Sequence, residues 1–205
     1  MADENLGDDL LQKNAVLSAY YAARHKIDEA VADKTKLAGD ALTCGQGCAQ
    51  CCAPELTVLP VEAAAIELHL EEEGLGSIPA FRGDACPFLD ADDACTIYEA
   101  RPVVCRTQGL ALRVDDADEE GLVRFSTTGG KVAACKLNYT ERDPGEDEVL
   151  DLASMQALLT AVNSKFCMDT GYPDEVRVPL AALAEQVLGA LVEQGIVEIV
   201  EDDAD

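Results

Sequence analysis

Tryptophan is absent from this 205-residue chain, aromatic residues make up only 4% of it, and there are two histidines, His25 and His69. A core without large rings must be filled mostly by Leu, Ala and Val, and a 48% hydrophobic content supplies enough of them. Positive charge is equally scarce: 15 Lys and Arg face 40 Asp and Glu, a formal net charge of -25. That balance argues against nucleic acid, whose phosphates Lys and Arg would have to neutralise, and against an anionic membrane surface. Long apolar runs are missing too, so no segment reaches the length needed to cross a bilayer. The start, Met1 to Asp9, is acidic where a secretory signal needs a basic and then an apolar region, so a cytoplasmic location is expected. The sequence shows no Ser-His-Asp set, no phosphate loop and no dinucleotide glycine motif; Thr128-Gly-Gly-Lys131 reads as a turn.

Cysteine is what the chain has in excess. Nine are present, and four of them fall in Cys44-Gly-Gln-Gly-Cys48-Ala-Gln-Cys51-Cys52. Neighbouring cysteines rarely meet the separation and torsion of a disulfide, and a reducing compartment favours ligands or redox groups over staples. Several thiolates converging from one tight loop suit metal ligation. Glycines at 45 and 47 let the backbone turn sharply enough for Cys44, Cys48 and Cys51 to converge. Were the chain extended there, Cys51 and Cys52 would point to opposite sides, which suits a junction between two adjacent sites. Cys86, Cys95, Cys105 and Cys135 follow, giving eight candidate ligands that divide into two sets of four. Two zinc ions, two iron-sulfur clusters such as 4Fe-4S, or one cluster with structural thiols all fit that number.

Around these cysteines the pattern is that of a mainly helical α+β protein. Leu10, Leu17, Tyr20, Tyr21, Ile27 and Val31 recur at helical spacing, with Gly39 as a stop. Pro60 opens a second helix with Val61, Ala64, Ala65 and Leu68 inward and Gly74 as terminator. Leu110 to Val114 and Leu122 to Ser126 read as strands around the acidic turn Asp115 to Gly121, and Val132 to Leu137 as a third. Leu152, Met155, Leu159, Val162 and Phe166 mark a helix, and Pro179 opens another with Leu180, Leu183, Val187 and Leu191 on its face. The expected organisation is an amphipathic helix over 1–43, a cysteine-rich, metal-centred domain with a short β-hairpin over 44–143, and helices with an acidic tail over 144–205.

Thr96-Ile-Tyr-Glu99 matches a capping box, which would put Cys95 beside a helix N-terminus. Pro102 ends that turn or starts the next, delivering Cys105, and Arg101 and Arg106 flank it as candidate donors to thiolate sulfur. Cys167 reads as a packed core thiol. His69 shares a helix face with Glu62 and Glu73 but reads as solvated, and nothing fixes His25 as a ligand. Asp90, Asp92 and Asp93 lack the glycine and distal glutamate of a calcium loop and read as a turn.

The succession CGQGCAQCC and then CPFLDADDACTIYEARPVVCR resembles the YkgJ-type cysteine-cluster family, also described as CxxCxxCC or zinc/iron-chelating proteins. The similarity covers roughly Cys44 to Cys135 and implies an eight-cysteine domain that chelates zinc or iron, an iron-sulfur cluster being one form of the iron. The chain departs from that pattern in having three residues between Cys44 and Cys48. Flagellin lysine-N-methylases look like relatives, so a cluster-dependent modification enzyme is one alternative function. A metal-stabilised interaction module meeting a basic partner is another. Cys44, Cys48 and Cys51 also reproduce the C-x3-C-x2-C spacing associated with radical-SAM enzymes. Cys52, the preceding helix and a chain shorter than the ~250 residues of a β/α barrel count against that reading.

Overall fold

A computed structural model describes residues 2–73, 77–79, 84–114, 123–193 and 198–200. Five α-helices dominate them: α1 Ala2–Ala38, α2 Pro60–Glu73, α3 Val103–Thr107, α4 Leu152–Thr170 and α5 Leu180–Glu193. Three 3₁₀ turns and eight short strands accompany them, the strands being β1 Thr57–Val58, β2 Ser77–Pro79, β3 Leu112–Arg113, β4 Val123–Thr127, β5 Gly130–Ala133, β6 Leu150–Asp151, β7 Val178–Pro179 and β8 Glu198–Val200. The mainly helical α+β expectation holds. The expected terminator Gly74, the acidic turn 115–121 and the tail 201–205 lie outside the described residues.

Contacts group the chain into two units that are discontinuous in sequence. The first comprises residues 1–21, 46–102 and 162–205, the second residues 22–45 and 103–161. In the first, β1 and β7 pair antiparallel with Thr57 opposite Pro179, and β2 and β8 pair parallel. Its core joins Val58, Ile66, Leu70, Phe88, Ile97, Leu180, Leu183 and Ala184, all buried, with Cys86 and Cys95 packed against its edge. Pro60 opens α2 at its first residue, where the missing N–H costs nothing. Glu62 is buried because it caps that helix: its Oε2 accepts from Leu59 N at 3.0 Å. Asn163, also buried, takes a second α2 amide, Val61 N, at 3.2 Å. Cys167 is buried on α4 as packing requires, and burial pushes its thiol up.

The second unit carries a four-stranded sheet in the order β4-β5-β3-β6. Its hairpin differs from the expected one. β4 and β5 pair antiparallel around Thr128-Gly129, while β3 pairs with β5 and, in parallel, with β6. Thr127-Thr128-Gly129-Gly130 makes the tight connection, so the strand after it starts at Gly130 rather than Val132 and ends at Ala133. Ala38, Ala111, Val132, Tyr139 and Val149 form the core beneath this sheet. Glu148 is buried here as well, held by Arg142 through paired bonds of 2.7 and 2.5 Å and by the Gly145 amide.

Two outcomes follow. Asn163→Ala leaves the Val61 amide without its partner and should lower stability by about 1–3 kcal/mol in chemical denaturation. The Arg142 guanidinium holds the Glu148 carboxyl below the usual carboxylate range. Its contribution is therefore complete above the unfolded pKa of about 4.3 and fades as pH falls through the lower folded value. Glu148→Gln should flatten the acid limb of stability against pH; an unchanged limb would exclude this pair as its source.

Candidate metal centre

All nine cysteines are free thiols. The two units divide the eight candidate ligands: Cys48, Cys51, Cys52, Cys86 and Cys95 belong to the first, and Cys44, Cys105 and Cys135 to the second. The cysteine-rich run is thus split between Gly45 and Gln46.

In the first unit the run forms a turn. Gly47 has φ +82°, and Cys52 N donates to Ala49 O at 2.9 Å. An extended backbone would have sent Cys51 and Cys52 to opposite sides; this turn instead brings their thiols into a shared hydrogen bond. Cys86 N then donates to Cys52 O at 2.9 Å, fastening the second cysteine segment to the first. Beyond Cys86 the chain doubles back. Leu89 and Cys95 form an isolated antiparallel bridge, and the loop between them is closed by Asp90, whose Oδ1 accepts from Asp92 N at 2.9 Å and Ala94 N at 2.8 Å. The aspartates are a turn, as the sequence suggested, with Asp93 at φ +57°.

Thr96 does not cap a helix. Its Oγ1 and N both donate to Phe88 O, at 3.0 and 2.8 Å, and the 3₁₀ turn Tyr98–Ala100 has Ile97 at its N-cap with no side-chain cap. The segment before Pro102 is too short for an α-helix, so the hydroxyl closes the loop that returns Cys95 towards Cys86. Pro102 does lead into a helix, α3, which carries Cys105.

The electrostatics of this group are those of crowded sulfur. Cys51 is pushed far above its ordinary range, first by the hydrogen bond with Cys52, then by burial and by the neighbouring charge. Burial also raises Cys86 and Cys95, and Cys86 feels both Cys95 and Cys51. Opposing this, the backbone N–H of Phe88 points at the Cys86 sulfur and that of Ile97 at the Cys95 sulfur. The Arg101 guanidinium favours the thiolates of Cys51 and Cys95 while stacking 3.6 Å over the Tyr98 ring. Amides and a cation aimed at partly buried sulfurs are the surroundings a metal-bound thiolate needs. Cys51, Cys52, Cys86 and Cys95 therefore fit a thiolate-held zinc or iron in donor chemistry. As they stand, among the described residues, no three His, Cys, Asp or Glu side chains are grouped tightly enough to hold an ion.

In the second unit the organiser is a residue that sequence inspection passed over. Asn138 is fully buried, and its Oδ1 accepts from Thr43 N at 2.9 Å and Thr43 Oγ1 at 3.1 Å. Its Nδ2 donates to Gly109 O at 2.7 Å and to Cys44 Sγ at 3.2 Å, and its own N–H closes a turn on Cys135 O at 3.0 Å. One amide thus ties together the segments bearing Cys44 and Cys135 and the loop that follows Cys105. Arg106, beside Cys105, pairs with Asp28 at 2.9 Å. His25 is exposed near Glu29, and His69 stays half-buried on α2. The only sequence hint of Asn138 is an amide side chain three residues after a cysteine.

Gly109 shows how close this packing is. Its φ is +90°, and a Cβ there would lie 2.6 Å from Cys44 Sγ and 3.1 Å from Asn138 Nδ2. Gly109→Ala should cost at least about 1–3 kcal/mol in backbone strain alone and displace the Cys44 side chain. Thermal melting together with the labelling rate of Cys44 by a thiol reagent checks both parts; unchanged values in both would contradict the packing.

Neither a curated protein nor a solved structure matches the chain. Residues 43–127 match the model of the CxxCxxCC family, described as "Putative zinc- or iron-chelating domain", which takes in every candidate ligand except Cys135. This stretch of the chain is similar to the CxxCxxCC family.

Proposed function

We propose that the protein binds zinc or iron through its eight clustered thiolates, in two sets that follow its two units. Cys51, Cys52, Cys86 and Cys95, with Cys48 on the same loop, form the first; Cys44, Cys105 and Cys135 form the second. The observation that carries this reading is the contradiction in the first set. Its sulfurs are crowded and partly desolvated, which opposes ionisation, yet the Phe88 and Ile97 amides and Arg101 are placed to favour it. A bound cation removes the contradiction, because a metal ligand must be the thiolate.

Bound there, zinc or iron supplies a centre of positive charge to which several thiolates attach. The chain's own residues do the rest. The bond from Cys86 N to Cys52 O sets the separation of two ligand-bearing loops, and the Asp90 turn and Thr96 return Cys95 to Cys86. Phe88 and Ile97 lie beneath the group in the core and shield it from water on that side. Arg101 offsets excess negative charge at Cys51 and Cys95. A closed four-thiolate site of this kind is structural, holding loops that have little regular secondary structure of their own. Iron-sulfur occupancy and an enzymatic role belong to the same site and are separated from it by the identity of the metal.

Metal analysis and a visible spectrum on protein purified without oxygen test this directly. Stoichiometric zinc or iron is expected, with Cys95→Ser losing metal and melting earlier, and Cys167→Ser keeping its full metal content. Colourless zinc protein would exclude the iron-sulfur and methylase-like readings, whereas brown protein with acid-labile sulfide would exclude structural zinc. A chain that holds neither metal and takes up neither on reconstitution would overturn the proposal.

A further inference from the structure

We propose that Asn138 is a positioning residue for metal binding in the second unit, donating a side-chain N–H to the sulfur of Cys44 and so setting how strongly that thiolate binds; this rests on the reading of Cys44 as a ligand. The orientation of the amide is dictated by its neighbours. Thr43 N can only donate, so the Asn138 oxygen must face it, at 2.9 Å; Gly109 O can only accept, so the Asn138 nitrogen must face it, at 2.7 Å. With those two fixed, the second N–H of the amide is directed at Cys44 Sγ, 3.2 Å away.

A neutral thiol is a weak acceptor, and spending a fully buried amide N–H on one brings little. A metal-bound thiolate is a strong acceptor, and an N–H donor to it moderates the charge the sulfur places on the metal. The same residue also closes the turn on Cys135 through its backbone. Asn138 thereby couples the geometry of two candidate ligands, and Gly109 leaves the space that the contact needs.

The full-length protein loaded with Co²⁺ provides the test. Asn138→Ala, shown to be folded by circular dichroism, should bind Co²⁺ roughly 10–100-fold more weakly and shift the thiolate-to-cobalt charge-transfer band. Cys44→Ser should lose part of that band outright. Should Asn138→Ala fail to fold, the wild-type protein loaded with ¹¹³Cd²⁺ decides: the Asn138 Nδ2 proton should move downfield and show coupling to cadmium through the sulfur, which no merely structural role produces. A folded Asn138→Ala with unchanged affinity and band, or an Asn138 side-chain amide unmoved and uncoupled by cadmium, would overturn the proposal alone. A Cys44→Ser band identical to wild type would overturn the ligand reading, and the proposal with it.

Discussion

The hydrogen bond from Cys86 N to Cys52 O, 2.9 Å long, joins two cysteine-bearing loops. Loops that must present several sulfurs to one place cannot also satisfy themselves as helix or sheet, so each fastening has to be found individually. The first unit finds them in Ala49 O, the Asp90 carboxylate and Phe88 O; the second finds several of them in the amide of Asn138. The regular elements serve these loops. α2 and α5, with Phe88 and Ile97, make the core against which Cys86 and Cys95 rest, and the small sheet delivers the chain to the Cys135 turn.

Much of this was legible from the sequence. Periodic apolar residues placed the long helices well: Leu17, Tyr20 and Ile27 on α1, Met155, Leu159 and Phe166 on α4, and Leu180, Leu183 and Val187 on α5 are buried as their spacing requires. The aspartates at 90, 92 and 93 and the residues at 128–129 announced turns through ordinary turn chemistry. Composition also gave the crowding of cysteines, and the spacing of CGQGCAQCC and its partner segment led to the family match over residues 43–127.

The misses share a physical cause. Thr96 fits a capping pattern, yet its hydroxyl goes to Phe88 O because that bond closes a loop and the following turn is too short to need a cap. The pairing of β3 with β5 and β6 depends on contacts distant in sequence, which local alternation cannot encode. The joint orientation of the Cys51 and Cys52 thiols depends on a turn set by Ala49 and Gly47, not on the alternation of an extended strand. Asn138 was invisible because its partners, Thr43, Cys44 and Gly109, come from two separate parts of the chain.

X-ray absorption at the edge of the metal bound by the purified protein decides whether thiolates hold it, because it counts the atoms around the ion. Thiolate ligation requires a shell dominated by sulfur, at about 2.3 Å for zinc. A shell of nitrogen and oxygen with little sulfur would contradict it.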